Sequence, residues 1–165
     1  MDASDRLPFL QALASPSAAP GAGSAAARVG ALAAALVEMG CGRAGPGSRA
    51  HALREQAQEF RTEFLRLGEE DAVALRNYLA RKDPETRAET CEVPLRIAEL
   101  AARMPKLARE VQLVGNPKAA ADLRVAVRLA EATREASADL VRANLPDLAD
   151  SGLASSFLAR LDAKL

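Results

Sequence analysis

The chain has 165 residues, a length that suits a single domain over 1–165; 49% of them are apolar and only 3% aromatic. A core of that composition is built from alanine, leucine and valine, which fill space only where backbones approach closely, as in packed helices. Acidic and basic residues balance at 22 each, which removes any global electrostatic pull toward nucleic acid or an anionic membrane.

Ser4 is placed to cap a short first helix, "DRLPFLQALA", with Leu7, Leu10 and Leu13 as its buried positions. Prolines and glycines in "SPSAAPGAGS" break it. Ser24 then has the chemistry of an N-cap for a second helix, roughly Ala25 to Met39, whose Ala27, Gly30, Ala31 and Ala34 let a neighbour come close. Arg28 and Glu38 interrupt its apolar stretch, leaving it too short for a membrane span, and the opening "MDASDRLPFL" lacks the positive region of an export signal.

The third helix carries an unbroken seam at alternating spacings of four and three: Leu53, Ala57, Phe60, Phe64, Leu67, Asp71, Ala74, Tyr78. Asp83 as N-cap and Pro84 at the first helical position open a fourth, with Cys91, Leu95, Ala98 and Ala102 on its apolar face and bends expected at Pro94 and Pro105. In "VGNPK", Gly115 suits a left-handed C-terminal cap, Asn116 caps the next helix and Pro117 begins it. That fifth helix runs to about Asn144, with Val125, Leu129, Ala132, Ala136 and Leu140 on one face. A short terminal helix turns Leu153, Phe157, Leu158 and Leu161 inward. No stretch alternates with period two, so the fold class is all-α: an antiparallel multi-helix bundle of about five to six helices.

The chemistry-bearing residues are few. His51 alone cannot assemble a zinc site or a Ser-His-Asp triad, and Glu69, Glu70 and Asp71 point about 100° apart on a helix and cannot converge on one metal ion. Cys41 and Cys91 form no CxxC pair and, with no export signal, suit a reducing cytoplasm. "GAGSAA" lacks the third glycine and the preceding strand of a dinucleotide fingerprint. What remains is a glycine-rich turn delivering free amides to a helix start, either an ordinary capped terminus or a cradle for an anion. Asp71 occupies a seam position among apolar residues, and an unpaired buried carboxylate costs several kcal/mol. Such a residue has a partner or lines a polar cleft. Asp122 repeats the pattern, one step back from Val125, although a first-turn aspartate also suits the helix dipole.

Four blocks, "FLQALASPSAAPGAGSAAARVGALAAALVEM", "EEDAVAL", "VPLRIAEL" and "GNPKAAADLRVAVRLAEATREASADLVRANLPDL", resemble in order the formimidoyltetrahydrofolate cyclodeaminase and methenyltetrahydrofolate cyclohydrolase family. The resemblance implies a helical homodimer that handles one-carbon units on tetrahydrofolate, either closing the formimidoyl group to a methenyl bridge with loss of ammonia or opening that bridge with water. The folate derivative is then a substrate, with no tightly bound cofactor and no metal. The resemblance gives Asp71 and Asp122 the catalytic positions, and gives Pro20, Gly21, Gly23, Ser24, Asn116 and Asn144 contacts with the folate.

The chain departs from the family at three places. Ala22 interrupts a run of three glycines, Leu140 stands where the family has Asn, and the segment from Asp71 to Pro94 is short, with Lys82 the nearest counterpart of an LPK-like lysine. These departures keep two alternatives open: a catalytically reduced member serving as a folate-binding or assembly module, and a helical protein-interaction adaptor.

Overall fold

The computed structural model describes residues 7–42, 45–148 and 151–163. Its helices are α1 (Leu7–Leu13), α2 (Ala22–Gly40), α3 (Arg49–Arg81), α4 (Pro84–Val114), α5 (Ala120–Asn144) and α6 (Ser151–Asp162), with 3-10 turns at Pro117–Ala119 and Leu145–Asp147. The described residues contain no strand. Helices α2 to α5 form an antiparallel bundle in which α2 and α4 each pack against both α3 and α5.

Small residues set the spacing. Helix α2 buries Gly23, Ser24, Ala26, Ala27, Gly30, Ala31, Ala33, Ala34, Val37 and Gly40, the close-packing face that its sequence suggests. At Gly30 a β-carbon would lie 2.5 Å from the ring of Phe64, so the ring sits directly on the α2 backbone. By length and composition α2 is apolar enough to cross a bilayer, so the expectation that it is too short does not hold. Half of its apolar window is buried inside the bundle.

Helix α3 follows its seam: Leu53, Ala57, Phe60, Phe64, Leu67 and Ala74 are buried, while Asp71 and Tyr78 are half-buried. Ser48 caps it by accepting from His51 N. Asp83 caps α4 through Thr86 N at 2.8 Å with Pro84 behind it, as its sequence signals. Helix α4 continues unbroken through Pro94 and Pro105. Cys91, Leu95 and Ala98 join Val141, Phe157 and Leu161 in a second cluster beneath α6, and Arg160 clamps that helix through Glu92 at 2.6 Å and Glu99 at 3.1 Å.

Several sequence expectations are corrected. Ser4 lies outside the described residues, as does the side chain of Leu7; Leu10 is exposed and Leu13 half-buried. Phe9 makes the α1 contact instead, under the guanidinium of Arg28 at 3.7 Å. Leu158 and Ala102 are likewise not buried. Gly115 is not left-handed (φ −87°); a β-carbon there would lie 2.5 Å from Gly40 O, so close approach of the α2 end, not a positive φ, demands glycine. Asn116 does cap, accepting from Lys118 N at 3.0 Å.

The largest correction concerns α5, whose buried face is Leu123, Ala126, Ala130, Thr133, Ser137 and Val141. The stripe expected inside has Val125, Ala132 and Ala136 exposed, with Leu129 and Leu140 half-buried. Thr133 is tolerated inside because its hydroxyl donates to Leu129 O at 2.8 Å.

Replacing Gly30 by alanine tests the α2–α3 spacing. Overpacking against Phe64 is expected to cost about 1–3 kcal/mol, more than the roughly 1 kcal/mol that alanine gains over glycine in a helix. Urea unfolding should show a net loss; a variant at least as stable as wild type would contradict the close approach.

Candidate functional site

The site begins where α2 begins. Gly21 is the N-cap, in extended conformation and without a side-chain cap, so Ser24 is released from the capping role that its sequence position suggests. It lies inside the first turn and reaches across to α3. Ser24 N donates to Asp71 Oδ2 at 2.9 Å, and its hydroxyl lies 2.8 Å from Gly68 O and 3.1 Å from the same Oδ2. The hydroxyl has one proton, so it donates to one of these at a time. When Asp71 is protonated, it can donate to the serine while the serine donates to Gly68 O.

Gly23 makes this junction possible, since a β-carbon there would stand 2.1 Å from Asp71 Oδ1. Burial pushes the Asp71 carboxyl above its ordinary value, and the two hydrogen bonds from Ser24 oppose that shift without cancelling it. Oδ1 accepts no hydrogen bond from the described residues.

Beside the carboxylate is a cavity of about 160 Å³ lined by Gly21, Ala22, Gly23, Asp71, Leu75, Arg87, Thr90, Pro94, Leu140 and Asn144. Its far wall is a fixed polar lattice. Arg87, only 9% exposed, donates to Asn144 O at 3.1 Å and lies 4.8 Å over the Tyr78 ring. Asn144 Nδ2 donates to Thr90 O at 2.8 Å, and the Thr90 hydroxyl to Arg87 O at 2.7 Å. A cavity of this size holds a fragment, because pockets for whole cofactor-sized ligands run to about 300–1,000 Å³.

Of the residues singled out in the sequence, Gly21, Gly23, Asp71 and Asn144 meet at this cavity. Ser24 positions Asp71 from behind, and Pro20 immediately precedes the turn. Asp122 does not join them within the chain: it lies 22 residues before Asn144 on the continuous α5, about 33 Å at 1.5 Å per residue. Asn116 is at that distant end too, its amide donating to Gly40 O at the last residue of α2. Lys82 is the exposed left-handed cap of α3 (φ 53°) and is not among the cavity's lining residues. Among the described residues no group of acidic, histidine or cysteine side chains forms a metal site.

Arg87 and Thr90 were not singled out. The signal for Arg87 was present, since stepping back four residues from Cys91 along the α4 apolar face lands on it, just as the α3 seam lands on Asp71.

The sequence profile described as Formiminotransferase-cyclodeaminase matches residues 7–163. The fold is similar to the crystal structure of formiminotetrahydrofolate cyclodeaminase from Thermotoga maritima, with a TM-score of 0.88 at 21% identity, over 99% of this chain and 88% of that one. No protein of curated function matches the sequence.

The Asp71 environment predicts a pH signature. Unfolded, the carboxyl ionises at its ordinary value; folded, it holds its proton to higher pH, so wild type loses stability as pH rises from the first of these values through the second. Asp71→Asn has no such ionisation. The variant's stability minus that of wild type should therefore grow across this window in denaturant titrations; a flat or falling difference would contradict the raised ionisation.

Proposed function

Because the chain belongs to the formiminotransferase-cyclodeaminase family, we propose that it acts on one-carbon units carried by tetrahydrofolate. The reaction we assign takes formimidoyltetrahydrofolate to methenyltetrahydrofolate and ammonia. The protein of similar fold from Thermotoga maritima, a formiminotetrahydrofolate cyclodeaminase, supports that choice. The observation that carries the reading is Asp71: a half-buried carboxylate in the lining of a cavity, with Oδ2 held by Ser24 and Oδ1 accepting no hydrogen bond from the described residues.

In this reaction the formimidoyl group enters in its protonated, cationic form, and the folate N10 amine attacks its carbon. A carbon–nitrogen bond forms, the bond to the departing nitrogen breaks, and the proton released by N10 must reach that nitrogen before ammonia leaves. The methenyl product is a cation. Asp71 serves both needs: ionised, its Oδ1 takes the N10 proton and returns it to the leaving nitrogen, and the carboxylate then faces the cationic carbon. Raised basicity favours the first step. Ser24 fixes the acid, while Pro20, Gly21 and Gly23 let the backbone turn lie against the ligand. Asn144 holds the opposite wall. Tetrahydrofolate is the substrate in this scheme, which calls for no metal and no resident cofactor.

Water adding to the methenyl bridge to give formyltetrahydrofolate needs the same proton acceptor and is read by the same assay. Cys41 and Cys91, buried and in no disulfide among the described residues, support a reducing, cytoplasmic setting, and a homodimer is the assembly we expect. One observation favours a second reading, a member that binds folate without turnover: Leu140 gives the cavity an apolar wall where the resemblance places Asn.

Appearance or loss of methenyltetrahydrofolate absorbance decides between them. We expect turnover in wild type, rising with pH as Asp71 ionises above the usual carboxylate range, and a loss of about 10²–10⁴-fold in kcat for Asp71→Asn. Folate binding with no turnover of either substrate selects the second reading, and an Asp71→Asn variant as fast as wild type removes the role given to Asp71.

A further inference from the structure

The bundle leaves one face dressed like a core. Along α2, Ala25, Val29, Leu32, Leu36 and Met39 alternate four and three residues apart on the side turned away from α3, with Leu32 60% and Met39 52% exposed. Beside it α5 presents Val125, Leu129, Ala132 and Leu140, with Val125 51% exposed. The two helices pack side by side, and the seam from Ala25 to Met39 makes an apolar face about 21 Å long and about 20 Å wide.

Charge identifies the occupant. Along the rim of this face α5 carries Arg124 and Arg128 in its first half and Glu135 and Asp139 in its second, the latter three well exposed at the side chain. Two copies of α5 laid antiparallel about Glu131–Ala132 bring Arg128 against Glu135 and Arg124 against Asp139, at both ends at once. A parallel pairing of α5 with α5 sets like charges on each other. The α2 seam is palindromic in the same way, with Leu32 at its middle, Val29 opposite Leu36 and Ala25 opposite Met39. Thr133 Oγ1 lies 3.4 Å from Ala26 O, and Leu123 packs against Gly40. The two midpoints therefore fall within about one helical turn of each other, and one two-fold axis serves both helices.

This register has a consequence for the cavity. Residue 122 of one copy falls opposite residues 140–141 of the other, and Leu140 is a wall of the Asp71 cavity. We propose that a second copy of the chain docks antiparallel on the α2–α5 face, and that the partner subunit's Asp122 closes the mouth of the Asp71 cavity as the second carboxylate of the site. The role of this second acid, joining Asp71 in facing the cationic one-carbon centre, rests on the folate reading above; the surface does not. A cavity large enough for only a fragment becomes, in the pair, a cleft with walls from two chains.

The surface is tested by mass and the acid by sharing. Sedimentation of the full chain should give a dimer. Leu32→Glu, which sets two carboxylates face to face on the axis, should give a monomer of wild-type helicity. Arg128→Glu and Glu135→Arg should each raise the dimer dissociation constant about tenfold or more, and the double variant should recover it. A monomeric wild type, or a dimer indifferent to all of these, overturns the surface.

Placement of Asp122 is read without turnover. A chain carrying both Asp122→Cys and Leu140→Cys should oxidise to a covalent dimer while each single variant does not; 18 residues of helix, about 27 Å, keep the two positions apart within a chain. No cross-link in a dimeric variant overturns the register. Its chemistry is read by mixing. Asp71→Asn and Asp122→Asn chains, each inactive alone, should regain about a quarter of wild-type turnover once exchanged, because half the dimers are mixed and each has one intact site. No regain in exchanged dimers overturns the shared site. A cross-linking dimer whose wild type shows no turnover leaves the surface standing and removes the catalytic reading and the assigned role of Asp122.

Discussion

The structure turns on the approach of α2 to α3. A carboxylate, Asp71, is inserted against the first turn of a helix rich in alanine and glycine, and Gly23 leaves room for it. The same closeness recurs along the pair, with Phe64 on the bare backbone of Gly30 and Gly68 against Ala27. A core poor in aromatics thus obtains its density from backbone proximity, and that proximity also brings Ser24 N and Oγ within reach of Asp71. Packing and site geometry have one cause: a larger residue at 23 or 30 would open the bundle and withdraw the donors together.

The sequence showed the fold where an element had one apolar stripe and failed where it had two. On α3 the four-and-three spacing is interrupted only by Asp71, so the inward face was unambiguous and the exception pointed to the site. On α5 an apolar stripe at Val125, Leu129 and Leu140 competes with one at Leu123, Ala126 and Val141, and hydrophobicity alone does not rank them. Burial went to the second stripe because Thr133 meets its hydrogen bond within its own helix and the alanines there admit α2 and α4. Asp122 was carried along with the wrong stripe, hence its position about 33 Å from Asn144 in the same chain.

Residues at turns were misread for a related reason. Ser24 and Gly115 have the side chains that caps prefer, yet both are claimed by neighbours distant in sequence: Ser24 by Asp71, and Gly115 by the backbone of Gly40. Local propensity cannot register a contact made 47 or 75 residues away. Asn116 and Asp83, whose cap bonds are entirely local, were legible for that reason.

Asp71 also bears on whether the junction is merely a clamp between helices. A clamp is served best by a neutral side chain, because an ionised carboxylate loses hydration on burial that two hydrogen bonds to one oxygen do not restore. Asparagine would accept from Ser24 N at lower cost. Keeping an acid there, with Oδ1 unclaimed beside a cavity, makes energetic sense if a ligand supplies the missing positive charge. Arg87, fixed on the opposite wall by Asn144 O and the Tyr78 ring, gives the cavity a polarity. On the folate reading proposed above, a cationic one-carbon centre would sit on the α2–α3 side, by Asp71, and away from the guanidinium on α4.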